Sequence, residues 1–164
     1  VMVVSNPYQT RAIMKKEEYE SAKKYADEFK SKIQEIAERG HPVAAFICEP
    51  VMSCAGQVVF PPKYLQYVYK HIRDAGGVCI ADEVQTGIAR TGRLLACDHA
   101  QVRPDVVILG KAISGGVYPV SAVLADDEVM LTIKPGQHGS TFGGNPLAAK
   151  VATAALEVVK EENV

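Results

Sequence analysis

Val78-Cys79-Ile80-Ala81-Asp82-Glu83-Val84-Gln85-Thr86-Gly87 is the stretch that decides the fold. Its first four residues form an unbroken apolar run, and the run stops at a carboxylate. A short run without polar alternation reads as a strand covered on both faces, as in a parallel sheet. The pattern occurs again on either side. Val43-Ala44-Ala45-Phe46-Ile47-Cys48 runs into Glu49-Pro50, and Asp105-Val106-Val107-Ile108-Leu109 runs into Gly110-Lys111. Three buried strands are therefore expected to end in Glu49, Asp82 and Lys111. Val120 to Ala125 reads as a fourth strand.

Helical signals lie between these runs. From Lys15 to Arg39, Tyr19, Ala22, Tyr25, Phe29, Ile33 and Ile36 recur every three or four residues, with Lys and Glu between them. That is one apolar face of a helix, stopped by Gly40 with Pro42 beyond. Pro61-Pro62 opens a second helix to about Ala75, with Leu65, Val68, Tyr69 and Ile72 facing inward and Gly76-Gly77 at its end. Asn145-Pro146 starts a last helix, from Leu147 to about Glu161. Residues 51–61 read as an irregular loop, and Thr86 to Arg93 as a loop rich in Gly and Arg. Near the start, Met2-Val3-Val4 reads as a short strand and Ser5-Asn6-Pro7-Tyr8 as a turn. Strands alternating with helices predict an α/β fold, a mostly parallel sheet with helical crossovers.

The 164 residues suit one domain, and 48% hydrophobic with 23% charged residues is a globular composition with enough apolar matter for a core. A net charge of −1 gives no electrostatic reason to expect nucleic acid or a membrane as partner. No apolar run approaches the roughly 20 residues of a bilayer span, and Val1 to Val4 is too short for a signal-peptide core. Cys48, Cys54, Cys79 and Cys97 form no C-x-x-C pair, which argues against a zinc knuckle. Three of them sit in or beside apolar segments and are expected to be reduced packing residues of an intracellular protein. The four histidines are scattered and show no metal-ligand spacing, so no metal site is expected.

In open parallel sheets, ligands sit at the carboxyl ends of the strands. Glu49, Asp82 and Lys111 should converge there. An acid on one strand end and a lysine on its neighbour suit pyridoxal 5'-phosphate. The acid keeps the pyridine nitrogen protonated, and the amine holds the aldehyde as a Schiff base. Val84, two residues on along an extended chain, would share the side of Asp82 and pack on the ring face. Gln85 would donate to the ring's phenolic oxygen. Lys111, in a desolvated setting, would then move the substrate's Cα proton. Taken singly, Asp82 also suits the cap of a turn, and Lys111 a solvated loop. Together, each ending a buried strand, they favour the cofactor. The small-residue loop from Gly136 to Pro146 suits a phosphate held by backbone N–H groups, and equally a flexible connection.

Four stretches carry a family resemblance: Phe46-Ile47-Cys48-Glu49-Pro50, Ile80-Ala81-Asp82-Glu83-Val84-Gln85-Thr86-Gly87, Gly110-Lys111-Ala112-Ile113-Ser114-Gly115-Gly116, and His138-Gly139-Ser140-Thr141-Phe142-Gly143-Gly144-Asn145-Pro146. From about residue 43 to its end the chain resembles the class III aminotransferases, pyridoxal-phosphate enzymes of fold type I. Residues 87–164 are most similar to the ornithine aminotransferase branch. Residues 43–86, with Ser53-Cys54-Ala55-Gly56-Gln57 and Pro61-Pro62, are more similar to related phospho-lyases.

The resemblance implies cofactor roles for Asp82, Val84, Gln85 and Lys111. It implies that Thr141 reaches the cofactor phosphate of a neighbouring subunit, hence a homodimer. Residues 1–164 would be the central part of a large domain, with the upstream phosphate loop and the downstream small domain outside it. The implied reaction moves the amino group of ornithine, or a similar ω-amino acid, to a 2-oxo acid in the cytoplasm or mitochondrial matrix. The alternatives are a phospho-lyase acting on a phosphorylated amine, and a non-catalytic fragment.

Overall fold

The computed structural model describes residues 15–163, so the expected strand at 2–4 and turn at 5–8 lie outside the described residues. Helix α1 spans Lys15–Glu38, and its apolar stripe of Ala22, Ala26 and Phe29 is buried. Strand β1 is Ala45–Cys48. The segment expected to be irregular folds instead as a small hairpin, β2 (Val51–Met52) antiparallel to β3 (Val58–Val59). Helix α2 runs over Tyr64–Asp74, starting later than Pro61-Pro62 suggests because Lys63 takes a left-handed conformation at φ 67°. Strand β4 (Val78–Asp82) follows, then a 3₁₀ turn at Ala96–Ala100, and then β5 (Val106–Leu109). A second 3₁₀ turn covers Lys111–Ser114. Strand β6 (Ala122–Ala125), a short α3 (Asp127–Met130) and α4 (Pro146–Glu161) complete the chain. None of the helices is long and apolar enough to cross a membrane among the described residues.

The sheet order is β1-β4-β5-β6. β1, β4 and β5 are mutually parallel, and β6 returns antiparallel to β5. The expected α/β class and mostly parallel sheet are present. One placement differs from expectation: the run 43–48 reads as a central strand but forms an edge of this sheet. Phe46 packs towards the helices, whereas Ile47 on the other face is 56% exposed. An apolar run signals demand for cover on both faces, and the described residues supply it on one.

The main core lies where α1 and α2 cover β1 and β4. Tyr64, Leu65, Val68, Tyr69 and Ile72 of α2 meet Ala22, Ala26 and Phe29 of α1 over Cys79. Phe29 and Phe46 meet edge-on, 5.2 Å between ring centres, the geometry the ring quadrupoles favour. A smaller cluster of Ile88, Leu109 and Ile113 packs with Ala152 and Val159 of α4.

The N-terminal ends of β4 and β5 are clamped by Asp105. Its carboxylate accepts from the Cys79 backbone N–H at 2.6 Å and from Arg73 Nη2 at 2.9 Å, while its own N–H donates to the Cys79 carbonyl at 2.8 Å. Asp105→Asn weakens the ion pair, and its amide can satisfy only part of this set. Arg73 is substantially exposed, so the expected loss is about 1–2 kcal/mol of stability, read as a lower urea midpoint.

Candidate active site

Asp82 is the last residue of β4, is half-buried, and pairs in register with Ile108 of β5. Its Oδ1 accepts from the Val84 backbone N–H at 3.1 Å, so the carboxylate closes a turn on its own chain. Val84 is therefore not in the extended strand that the two-residue spacing suggests; it begins the turn. Its position is set by that hydrogen bond and by Gly110, where a Cβ would lie only 3.2 Å from Val84 Cγ1. The absence of a side chain at 110 lets Val84 lie against the end of β5.

Lys111 follows Gly110 immediately beyond β5. Its Nζ donates to Gln85 Oε1, which joins the turn after β4 to the turn after β5. Lys111 has φ 43°, left-handed backbone that penalises any residue with a Cβ by roughly 1–2 kcal/mol. Glycine would relieve that cost, yet a lysine stands there. Strain of this kind collects where a side chain has work to do. The sequence reading expects a desolvated Lys111, and the residue is exposed.

Glu49 lies one residue beyond β1. Its Oε2 accepts from both the N–H and the hydroxyl of Ser53. Of the three charged strand ends, Asp82 and Lys111 each bond a cofactor candidate, Val84 and Gln85 respectively. Glu49 instead secures the hairpin turn that carries Cys54. Thr141 is exposed in the loop before α4, and no bond joins it to Gln85 or Lys111 among the described residues.

Glu83 was not singled out by sequence reasoning. It is 1% exposed, and its carboxylate accepts three hydrogen bonds: from Thr86 Oγ1 at 2.5 Å, Ala96 N–H at 3.1 Å and Cys97 N–H at 2.8 Å. The available signal was an acid directly after Asp82, inside a stretch with little room for solvent.

The cysteines separate by environment. Burial pushes the Cys48 thiol up to about 12, with the neighbouring Cys79 thiol adding to the effect. Burial also pushes Cys97 to about 12, reinforced by Glu83, and Cys79 to about 11. Cys54 is exposed. In the folded protein at neutral pH, iodoacetamide is expected to alkylate Cys54 at least about tenfold faster than the other three, since reactivity follows the thiolate and access to it. Peptide mapping after timed alkylation checks this.

The donor set fits pyridoxal phosphate. Asp82 presents a carboxylate from the end of β4, Val84 a branched apolar side chain, Gln85 an amide and Lys111 a primary amine. All lie on two neighbouring strand ends. The aminotransferase class-III family model matches residues 2–164.

The chain belongs to the class III aminotransferases.

It is 61% identical over 122 residues to the mitochondrial ornithine aminotransferase of Rattus norvegicus, a match covering 74% of this chain and 28% of the relative. The ornithine aminotransferase of Schizosaccharomyces pombe is 60% identical over 125 residues, covering 76% and 28%. Among solved structures, an ornithine aminotransferase from Toxoplasma gondii, with partial occupancy of PLP at its active site, superposes with a TM-score of 0.78. It shares 46% identity over 84% of this chain and 31% of that one. The acetylornithine aminotransferase of Elizabethkingia anophelis gives 0.75 at 52% identity, covering 82% and 34%. The class III chain described here thus spans 28% of the length of either curated relative.

Proposed function

We propose that Asp82, Val84, Gln85 and Lys111 are the cofactor-gripping centre of a pyridoxal-phosphate-dependent transaminase, acting within a longer chain. It moves the amino group of ornithine, or a similar ω-amino acid, to a 2-oxo acid. The observation that carries this reading is Lys111: an amine on strained backbone, bonded to Gln85, beside the strand that ends in Asp82. The ornithine aminotransferase relatives support the substrate class.

When bound, the cofactor supplies an electron sink for the bonding pair left at the substrate's Cα. The chain's own residues do the rest. The Asp82 carboxylate holds a proton on the ring nitrogen, because an adjacent anion favours the cationic form. One of its oxygens is already fixed by Val84 N–H, which sets the direction of the other. Val84 offers its branched side chain to the ring face. Gln85 orients the Lys111 amine, and that amine takes and returns the proton at Cα.

A homodimer fits the same reading. Thr141 is exposed beside Phe142, which is 79% exposed, and this leaves Thr141 accessible for the contact with a neighbouring subunit's cofactor phosphate that the resemblance implies. The mitochondrial setting of the rat relative supports the mitochondrial matrix over the cytoplasm.

The lyase reading rests on the sequence Ser53-Cys54-Ala55-Gly56-Gln57, which forms the turn that Glu49 draws in through Ser53. Spectral cycling separates the two. In the full-length protein, ornithine should bleach the visible band of the bound cofactor, and 2-oxoglutarate should restore it. Phosphate release from phosphoethanolamine without any 2-oxo acid would replace transamination with the lyase reading.

A further inference from the structure

Glu83 sits between the residues assigned to the cofactor and is itself turned away from water. Five hydrogen bonds meet on it. Its backbone N–H donates to the Ile108 carbonyl of β5 at 2.9 Å, and its carbonyl accepts from Gly87 N–H at 2.8 Å. Its carboxylate takes the remaining three, from Thr86, Ala96 and Cys97. The last two donors are the opening N–H groups of the 3₁₀ turn Ala96–Ala100, which has no side-chain cap of its own. Without Glu83 they would be buried donors lacking a partner, since Ala96 and Cys97 are only 2% and 1% exposed.

The bonds make Glu83 a joint. On one side it ties the end of β4 to β5, the strand that leads into Lys111. On the other it ties the same point to residues 13 and 14 positions further on. The loop between them is not relaxed by itself: Ile88 and Ala89 both have left-handed backbone, at φ 55° and 62°. Gly87 packs so tightly that a Cβ there would lie 2.8 Å from the Glu83 carbonyl oxygen. The chain around Asp82, Val84 and Gln85 is thus pinned by a buried carboxylate to the start of the later turn, whereas the loop's own backbone bonds, Ala89 N–H to the Leu94 carbonyl and Gly92 N–H to the Ala89 carbonyl, close it only on itself.

We infer that Glu83 is a positioning residue of the reaction: it holds Asp82, Val84 and Gln85 in fixed register with Lys111, so that the ring-nitrogen partner and the amine meet one cofactor. The inference rests on the cofactor reading above. It assigns no chemistry to Glu83, which touches none of the reacting atoms. Glu83→Gln keeps the shape, but its amide nitrogen turns a donor towards the backbone donors that now meet an oxygen. Glu83→Asp keeps the charge and loses the reach to Ala96 and Cys97. Both should act alike if position is the role.

The test uses the full-length, cofactor-loaded protein, with Asp105→Asn as a stability control. Asp105 clamps the opposite ends of the same two strands and is remote from the cofactor residues in register. Both Glu83→Gln and Asp105→Asn should lower the urea midpoint. Only the Glu83 variants should release cofactor roughly tenfold faster on dilution, the factor that corresponds to losing about one buried hydrogen bond's worth of alignment. They alone should shift the pH midpoint of the visible cofactor band. If neither Glu83 variant folds, Thr86→Val removes one donor and should speed release about two- to threefold.

Wild-type release and titration in the Glu83 variants would overturn the inference, as would equal acceleration by Asp105→Asn. Wild-type behaviour of Glu83→Asp alone would overturn it too. Failure of the wild-type protein to bind cofactor at Lys111 is a separate result, and it removes the underlying reading.

Discussion

Lys111→Ala is expected to reduce turnover in the full-length protein by a factor on the order of 10⁴ or more. In the proposed reading the residue supplies both the covalent anchor and the proton carrier. The fold should hardly notice. Lys111 is exposed, and among the described residues its side chain makes one hydrogen bond, to Gln85. Alanine retains a Cβ, so the backbone cost at φ 43° stays, and stability should remain within about 0.5 kcal/mol. Lys111→Arg keeps the positive charge but lacks a primary amine, and it should be as inactive as alanine. Single-turnover absorbance with an amino donor checks both. Activity in the arginine variant would mean that a cation at 111 suffices.

Asp82→Asn should lower kcat on the order of 10²–10³-fold with little change in the urea midpoint. The substitution isolates charge from geometry. Asparagine still offers an oxygen to Val84 N–H, so the turn that sets Val84 is retained. What disappears is the anion that, in the proposed reading, keeps the ring nitrogen protonated. Asp82→Ala removes both, and should add a loss of cofactor affinity to the loss in kcat. Steady-state kinetics with cofactor titration separates the two variants. Equal kinetics for Asp82→Asn and the parent would show that the carboxylate only caps the turn.

Much of this was legible in the residues because the decisive signals are local. Val78-Cys79-Ile80-Ala81 and Val106-Val107-Ile108-Leu109 are apolar without alternation, so β4 and β5 and their polar ends could be read directly. Helix α1 repeats its apolar face over many turns. The misread parts depend on distant partners. Continuous hydrophobicity at 43–48 reports a need for cover, not the strand's place in the order. Strands of two residues, as at Val51–Met52 and Val58–Val59, are too short for a period to show.

Val84 illustrates the same limit within the site. Counting residues along an extended chain puts it beside Asp82, but the Asp82 side chain ends the extension by bonding to Val84's own N–H. Glu83 was hidden because its partners at Ala96 and Cys97 are remote in sequence, and no short motif records a carboxylate capping a later turn. Thr141 was assigned through resemblance alone. A role across a subunit boundary needs no bond from it to Gln85 or Lys111 of its own chain.

One amine carries the chemistry proposed for this chain. Full-length protein loaded with pyridoxal phosphate, reduced with borohydride, digested and mapped by mass spectrometry should carry a single pyridoxyl group, on Lys111. A label on another lysine, or a folded, cofactor-saturated sample with Lys111 unmodified, would contradict it.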